Sequence, residues 1–116
     1  MKNSIKTMLL TMLLTAFSVA FAQKANTNET ITIKTSSQCD MCKHTIEKAM
    51  AYEKGIKKST LDVPTSVLTV EYNPKKTTPE KIRKAVSDTG YDADEVPANP
   101  TAYEKLNPCC KKGFHK

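Results

Sequence analysis

The 116-residue chain has no tryptophan, only three glycines and 6% aromatic residues. Binding of nucleic acid usually needs stacking aromatics beside a basic stripe, so this composition argues against a nucleic-acid partner. The sequence contains no Ser-His-acid grouping, no phosphate-binding loop and no repeat beyond a two-halved pattern. We therefore expect one small domain that is not an enzyme.

Long apolar runs are absent except near the amino terminus. Two lysines among the first six residues precede an apolar run over residues 8–20, which leads into an Ala-Phe-Ala site. This order is typical of a secretory signal, and the run is shorter than the roughly 20 apolar residues of a membrane span. We expect residues 1–22 to be removed during export across the inner membrane to a bacterial periplasm. A loose lead-in at residues 23–29 and a mature form without a membrane span would remain.

The positive charge lies in the tail rather than in the body of the chain. The formal net charge is +6, and loss of the two leader lysines leaves +4. Residues 30–96 hold 11 basic and 10 acidic residues, whereas residues 97–116 hold four lysines and one glutamate. The body is nearly neutral and has no basic stripe, which again argues against nucleic-acid binding.

Apolar spacing predicts six segments in the order strand, helix, strand, strand, helix, strand, at residues 30–35, 42–55, 56–63, 67–72, 78–90 and 91–96. Ile31 and Ile33 face inward from the first strand, while Thr78 caps the second helix and Gly90 ends it. The order predicts an α+β fold, a ferredoxin-like βαββαβ sandwich with a four-stranded antiparallel sheet and two helices on one face. This domain spans residues 30–96.

The run Cys39-Asp40-Met41-Cys42 carries the strongest chemical signal. Two thiols on a loop that enters a helix can bind one soft metal ion, and the helix amino terminus favours the thiolate form. Two thiolates suit Cu(I), whereas a closed Zn(II) site needs four ligands. A structural disulfide, half of a zinc site and a thioredoxin-type redox pair remain open alternatives. His44 is expected to be a surface residue rather than a ligand.

Four short segments carry a family resemblance: Cys39-Asp40-Met41-Cys42, Gly55-Ile56, Leu68-Thr69-Val70-Glu71-Tyr72 and Thr89-Gly90-Tyr91-Asp92-Ala93. With them, residues 30–96 resemble the heavy-metal-associated domain of copper chaperones, metal-transporting ATPases and the periplasmic mercury-binding protein. The resemblance implies that Cys39 and Cys42 bind the metal and that Tyr91 lies beside the metal loop. We expect Met41 to pack under that loop.

The sequence departs from the family pattern just before the motif. Ser36 and Ser37 stand where the family usually has Gly and Met. Because the usual Met side chain fills the space under the loop, a polar Ser37 predicts a looser loop here.

The tail, residues 97–116, lies outside the resemblance. Asn99 is expected to cap a short helix, and the neighbouring Cys109 and Cys110 follow it. A disulfide between neighbours is strained, because bridged Cα atoms prefer a separation of about 5.5–6 Å. The spacer is long enough to return to Cys39 without having to do so. Whether the tail thiols join the same metal, contact something else or have no function stays open.

These observations predict an exported protein that binds a soft ion between Cys39 and Cys42 and passes it on. Cu(I) is the first expected ion and Hg(II) the second, and Zn(II) would need additional ligands such as Cys109 and Cys110. The expected partner is a metal-transporting membrane protein or another metal carrier, and the apo form is expected to be monomeric. A thiol–disulfide redox protein using the same cysteines is the main alternative. A metal-independent adaptor with a disulfide is a third reading.

Overall fold

The computed structural model describes residues 28–113. The expected signal, residues 23–27 of the lead-in and residues 114–116 lie outside the described residues. In chain order the elements are β1 (Glu29–Lys34), α1 (Asp40–Tyr52), β2 (Ile56–Asp62), β3 (Val67–Tyr72), α2 (Pro79–Asp88) and α3 (Pro100–Glu104), followed by a 3-10 turn at Pro108–Cys110.

The sheet is antiparallel, with β3 at its centre and the strand order β1-β3-β2. Successive side chains of a strand point to opposite faces. In β3 this separates the buried Leu68, Val70 and Tyr72 from the exposed Thr69. Ile33 of β1 is buried opposite Leu68. The predicted inward faces of these strands are therefore confirmed.

Both helices cover the same face of the sheet. α1 buries Cys42, Ile46 and Met50, which are four residues apart, and α2 buries Ile82 and Val86 with the same spacing. Side chains at this spacing lie on one face of a helix. They join the inward side chains of all three strands in a single core. The arrangement places the amino end of α1 at the edge of that core.

The ends of α2 follow the predicted caps. The Thr78 hydroxyl accepts the N–H of Lys81 at 3.2 Å, with Pro79 in the first turn. Gly90 follows the helix with a φ of +104°, in a region that favours glycine. Local cap chemistry thus defines both ends of this helix.

The predicted fourth strand over residues 91–96 does not form in the described part of the chain. Only isolated bridges occur there, one of which joins Ala93 to Thr35. Asp94 has a φ of +52°, which turns the chain away from an extended course. Its carboxylate accepts the N–H of Lys34 at 2.9 Å, and its own N–H donates to the Lys34 carbonyl at 2.8 Å. A side chain therefore replaces part of the ladder that a fourth strand would form.

The tail folds back across the end of α2. Asn99 caps α3, as predicted, by accepting the N–H of Ala102 at 3.0 Å. Ser87 donates its hydroxyl to the Pro97 carbonyl at 2.7 Å. A Cβ on Gly90 would lie 3.0 Å from the backbone of Ala102, so the missing side chain allows this close approach. Within residues 28–113, no helix has the length and apolar character needed to cross a membrane.

Candidate metal centre

Cys39 and Cys42 lie where the loop after β1 meets α1. Cys39 occupies the position before the first helical residue, with extended backbone, and Cys42 lies in the first turn with its side chain buried. Their Sγ atoms are 3.4 Å apart. A disulfide bond is about 2.05 Å long, so the two thiols face each other without being joined.

The start of α1 favours ionisation of Cys39. Burial opposes the charge, but the N–H groups of Cys42 and Met41 and the thiols of Cys42 and Cys109 stabilise it. Together they lower the pKa of Cys39 from 9.0 to about 7. The positive end of the helix dipole acts in the same direction. Because the thiolate is both the metal ligand and the nucleophile, Cys39 is suited to either role.

Hydroxyl groups anchor the loop before α1 through hydrogen bonds. Ser37 is only 3% exposed, its hydroxyl lies 2.9 Å from Thr35 Oγ1, and its N–H donates to that same oxygen at 3.2 Å. Ser66 Oγ donates to the Ser37 carbonyl at 2.7 Å. Ser36 Oγ accepts the N–H of Asp92 at 2.9 Å. The loop that was expected to be loose is instead tied on two sides by hydrogen bonds.

The tail returns to this loop and brings two more thiols to it. Cys39 Sγ lies 3.8 Å from the sulfur of Cys109 and 4.0 Å from that of Cys110, and the two tail sulfurs are 3.9 Å apart. The sulfurs of Cys39, Cys42 and Cys110 all lie within 4.8 Å of one another. We call Cys39, Cys42, Cys109 and Cys110 the four-thiol cluster.

The tail thiols differ from Cys39 in their acidity. Burial, followed by the contact with Cys39, raises the pKa of Cys109. Burial, followed by the contact with Cys42, raises the pKa of Cys110. One acidic thiol and two poorly acidic ones therefore share the cluster in the metal-free protein.

Tyr91 lies beside the buried thiols of the cluster, Cys42 and Cys110. The resemblance implies a position beside the metal loop for this residue. Its side chain is fully buried, and its hydroxyl has no hydrogen-bond partner of regular geometry among the described residues. Burial, and then the thiols of Cys110 and Cys42, raise the pKa of this hydroxyl. His44 is exposed and lies outside the group of thiols.

Met41 does not pack under the loop, contrary to expectation. It is 47% exposed, whereas Ser37, which is hydrogen-bonded to Thr35, is buried. Its sulfur accepts the Asn107 side-chain N–H at 2.9 Å and lies 3.6 Å from Cys109 Sγ. Sequence reasoning missed Asn107, since nothing in the local pattern pairs it with a residue 66 positions away.

The fold and site define a class of protein: a small α+β domain that presents paired thiols on the loop before its first helix. The heavy-metal-associated domain family matches residues 38–92. The chain is also 31% identical over 64 residues to the copper chaperone CopZ of Staphylococcus saprophyticus, a match that covers 55% of this chain and 93% of CopZ. The chain therefore belongs to the heavy-metal-associated domain family.

The chain is also similar to one segment of a copper-transporting ATPase and to the structure of a MerP protein. Copper-transporting ATPase 1 of Rattus norvegicus is 36% identical over 55 residues, which cover 47% of this chain but only 4% of the ATPase. The structure of oxidized MerP from Ralstonia metallidurans has a TM-score of 0.56 and 28% identity, covering 58% of this chain and 94% of MerP. The family match ends at residue 92, so the tail cysteines lie beyond it.

Proposed function

We propose that this protein binds a soft metal ion through Cys39 and Cys42, Cu(I) first and Hg(II) second, and passes it to another protein. The proposal rests on two thiols 3.4 Å apart at the start of α1, one with a pKa of about 7. Thiolates select soft ions such as Cu(I). The likeness to CopZ supports copper, and a 25% identity to the mercury-bound periplasmic MerP, with a TM-score of 0.52, supports mercury as the second choice.

Transfer would proceed through a shared intermediate. A thiolate of the partner adds to the ion while both Cys39 and Cys42 still hold it, and one of the original ligands then leaves. The ion keeps its charge and oxidation state, so the protein acts as a carrier rather than an enzyme. A metal-transporting membrane protein or a second metal carrier fits the partner role, which the likeness to one segment of a copper ATPase supports.

The proposal includes export, which rests on the amino-terminal sequence alone. A chain that keeps residues 1–22 after expression in a bacterium would contradict it. Fractionation combined with mass spectrometry of the amino terminus measures this directly, and the expected mature form begins at Gln23. Size-exclusion chromatography of the apo protein tests the expected monomer.

A Cu(I) titration against a chromophoric chelator tests the proposed site. With reduced protein kept free of oxygen, we expect one tightly bound Cu(I). We expect Cys39→Ser and Cys42→Ser each to weaken binding at least ~100-fold, which corresponds to about 2.7 kcal/mol. His44→Ala, which changes an exposed side chain on the same helix turn, is the matched control and should bind like the original protein. Unchanged binding by the Cys39→Ser/Cys42→Ser double variant would refute the proposal.

A thiol–disulfide redox protein is the second candidate. The same short sulfur separation and the acidic Cys39 thiol also suit an exchange reaction, in which Cys39 attacks a partner disulfide. Two electrons would pass to the partner as a Cys39–Cys42 disulfide forms. Rapid reduction of a model disulfide, with no Cu(I) uptake by the reduced protein, would favour this candidate.

A further inference from the structure

The part of the chain beyond the family match supplies half of the four-thiol cluster. The matched region ends at residue 92, and the tail then returns through α3 and the 3-10 turn at Pro108–Cys110. This return is built by specific contacts, because Lys112 pairs with Asp92 at 2.5 Å and Asn107 donates to Met41 Sδ. The position of the tail thiols follows from these contacts.

The sulfur separations fit a site with more than two ligands. At a metal–sulfur distance of about 2.3 Å, sulfurs lie ~4.6 Å apart in a linear pair, ~4.0 Å in a trigonal site and ~3.8 Å in a tetrahedral one. The separations of 3.8, 4.0 and 3.9 Å among Cys39, Cys109 and Cys110 match the last two values. The 3.4 Å between Cys39 and Cys42 is shorter than all three values and lies furthest from the linear one.

Thiols that merely pack together would also lie close, but a second observation favours a bound ion. The buried Tyr91 hydroxyl faces Cys42 and Cys110 without a partner of regular geometry among the described residues. A buried hydroxyl left without an acceptor costs about 1–3 kcal/mol. A metal-bound sulfur keeps negative charge and is a stronger acceptor than a neutral thiol, so an ion in the cluster would strengthen the hydrogen bonding of this hydroxyl.

We infer that Cys109 and Cys110 complete the metal site, so that one soft ion is held by at least three thiolates and the docked tail restrains its transfer. This rests on the proposed function of Cys39 and Cys42.

The restraint follows from where the tail lies. Transfer requires a partner thiolate to add to the bound ion, and that addition needs an open coordination position. The Cys109 sulfur and carbonyl lie 3.8 and 3.7 Å from Cys39 Sγ, on the partly exposed side of the cluster. A partner must therefore displace the tail or wait until it opens. A fourth thiolate would also move the preference from Cu(I) towards tetrahedral Zn(II).

The test compares the reduced protein with Cys109→Ser/Cys110→Ser in the absence of oxygen. X-ray absorption at less than one Cu(I) per chain counts the sulfur ligands, and transfer to an excess of chromophoric chelator measures release. We expect three or four sulfur ligands and slow release in the original protein, and two ligands with at least ~10-fold faster release in the variant, about 1.4 kcal/mol. Cys110→Ser alone, which removes the tail thiol within 4.8 Å of both Cys39 and Cys42, should lower the count by one.

Two controls make the outcomes distinct. Lys105→Ala changes an exposed tail side chain and should match the original protein in both measurements. Chromatography at the concentration used excludes an ion shared between two chains. If the original protein and the Cys109→Ser/Cys110→Ser variant both bind one Cu(I) with two sulfurs and release it equally fast, the inference is wrong and the proposed function stands. If neither binds Cu(I), the proposed function itself fails and the inference fails with it.

Discussion

At the scale of single residues, the position of each thiol decides its chemistry. Cys39 lies before the first residue of α1, where two N–H groups point towards its sulfur, whereas Cys110 is almost completely buried in the core. The same side chain is therefore acidic at one position and weakly acidic at the other. A chemical probe that reacts only with thiolates can distinguish them.

We expect Cys39 to react first with iodoacetamide in the metal-free protein. With a pKa of about 7 it is about half thiolate at pH 7, whereas a thiol with a pKa of 9.0 is about 1% thiolate. Its modification rate, followed by mass spectrometry of peptides, should rise with pH to a midpoint near 7. Cys110, in the same samples, serves as the internal control and should stay unmodified over this range. A midpoint for Cys39 above 8.5 would contradict the assignment.

Two buried tyrosines allow a matched comparison. The Tyr91 hydroxyl lacks a partner of regular geometry among the described residues, whereas the Tyr72 hydroxyl donates to Glu29 at 2.9 Å. Tyr72→Phe should lower the free energy of unfolding of the apo protein by about 1 kcal/mol, and Tyr91→Phe should leave it unchanged or raise it. Urea unfolding measures both. A loss of 1 kcal/mol or more in apo Tyr91→Phe would show that its hydroxyl already has a partner.

At the scale of elements, Asp94 holds the segment after α2 against β1. Although burial opposes its charge, the N–H of Lys34 and the guanidinium of Arg83, 2.9 Å away, hold the pKa of Asp94 below its usual value. A carboxylate with a lowered folded pKa stabilises the fold above its unfolded pKa. That stabilisation disappears as the pH falls through the folded value.

Asp94→Asn should lower the free energy of unfolding by about 1 kcal/mol at pH 7, because it removes the ion pair with Arg83 but keeps an acceptor for Lys34. Asp94→Ala should cost about 1–3 kcal/mol more, since it also loses that acceptor and places alanine at a φ of +52°. Denaturant unfolding at pH 7 and between pH 4 and 2 is the measurement. The gap between the original protein and Asp94→Asn should close in acid; a constant gap would rule out the ion pair as its cause.

Elements with local signals could be predicted from the sequence. The Thr78 cap and the alternation in β3 act over a few residues, and both predictions are confirmed. The prediction of a fourth strand was wrong because Asp94 adopts a left-handed backbone conformation and its side chain accepts the Lys34 N–H. Neither feature changes the apolar pattern of residues 91–96, so the pattern could not reveal them. The pairing of Cys39 with Cys42 could be predicted from their spacing in the sequence. The approach of Cys110 to them could not be predicted, since it depends on contacts between residues distant in sequence.

At the scale of the whole molecule, charge and chain length act together in the tail. The body is nearly neutral, but Asp92 lies at its surface beside the basic tail and pairs with Lys112. The family match ends at this residue, so Asp92 joins the domain to the segment that covers its thiols. An exposed ion pair is weak by itself. The metal, if the tail thiols bind it, would supply the stronger link.

Reversing the charge of Lys112 tests whether the ion pair with Asp92 or the bound metal holds the tail in place. Lys112→Glu places a carboxylate beside Asp92, so repulsion should open the tail of the apo protein, and hydrogen exchange of amides in residues 105–113 should become at least several-fold faster. Lys105→Glu makes the same charge change at an exposed tail position without a described ion pair and should have little effect. Addition of one equivalent of Cu(I) should restore protection in Lys112→Glu, because thiolate ligands hold the tail more firmly than the lost ion pair. Protection that Cu(I) fails to restore would mean that the tail is docked by its surface contacts alone and that Cys109 and Cys110 stay outside the metal's coordination.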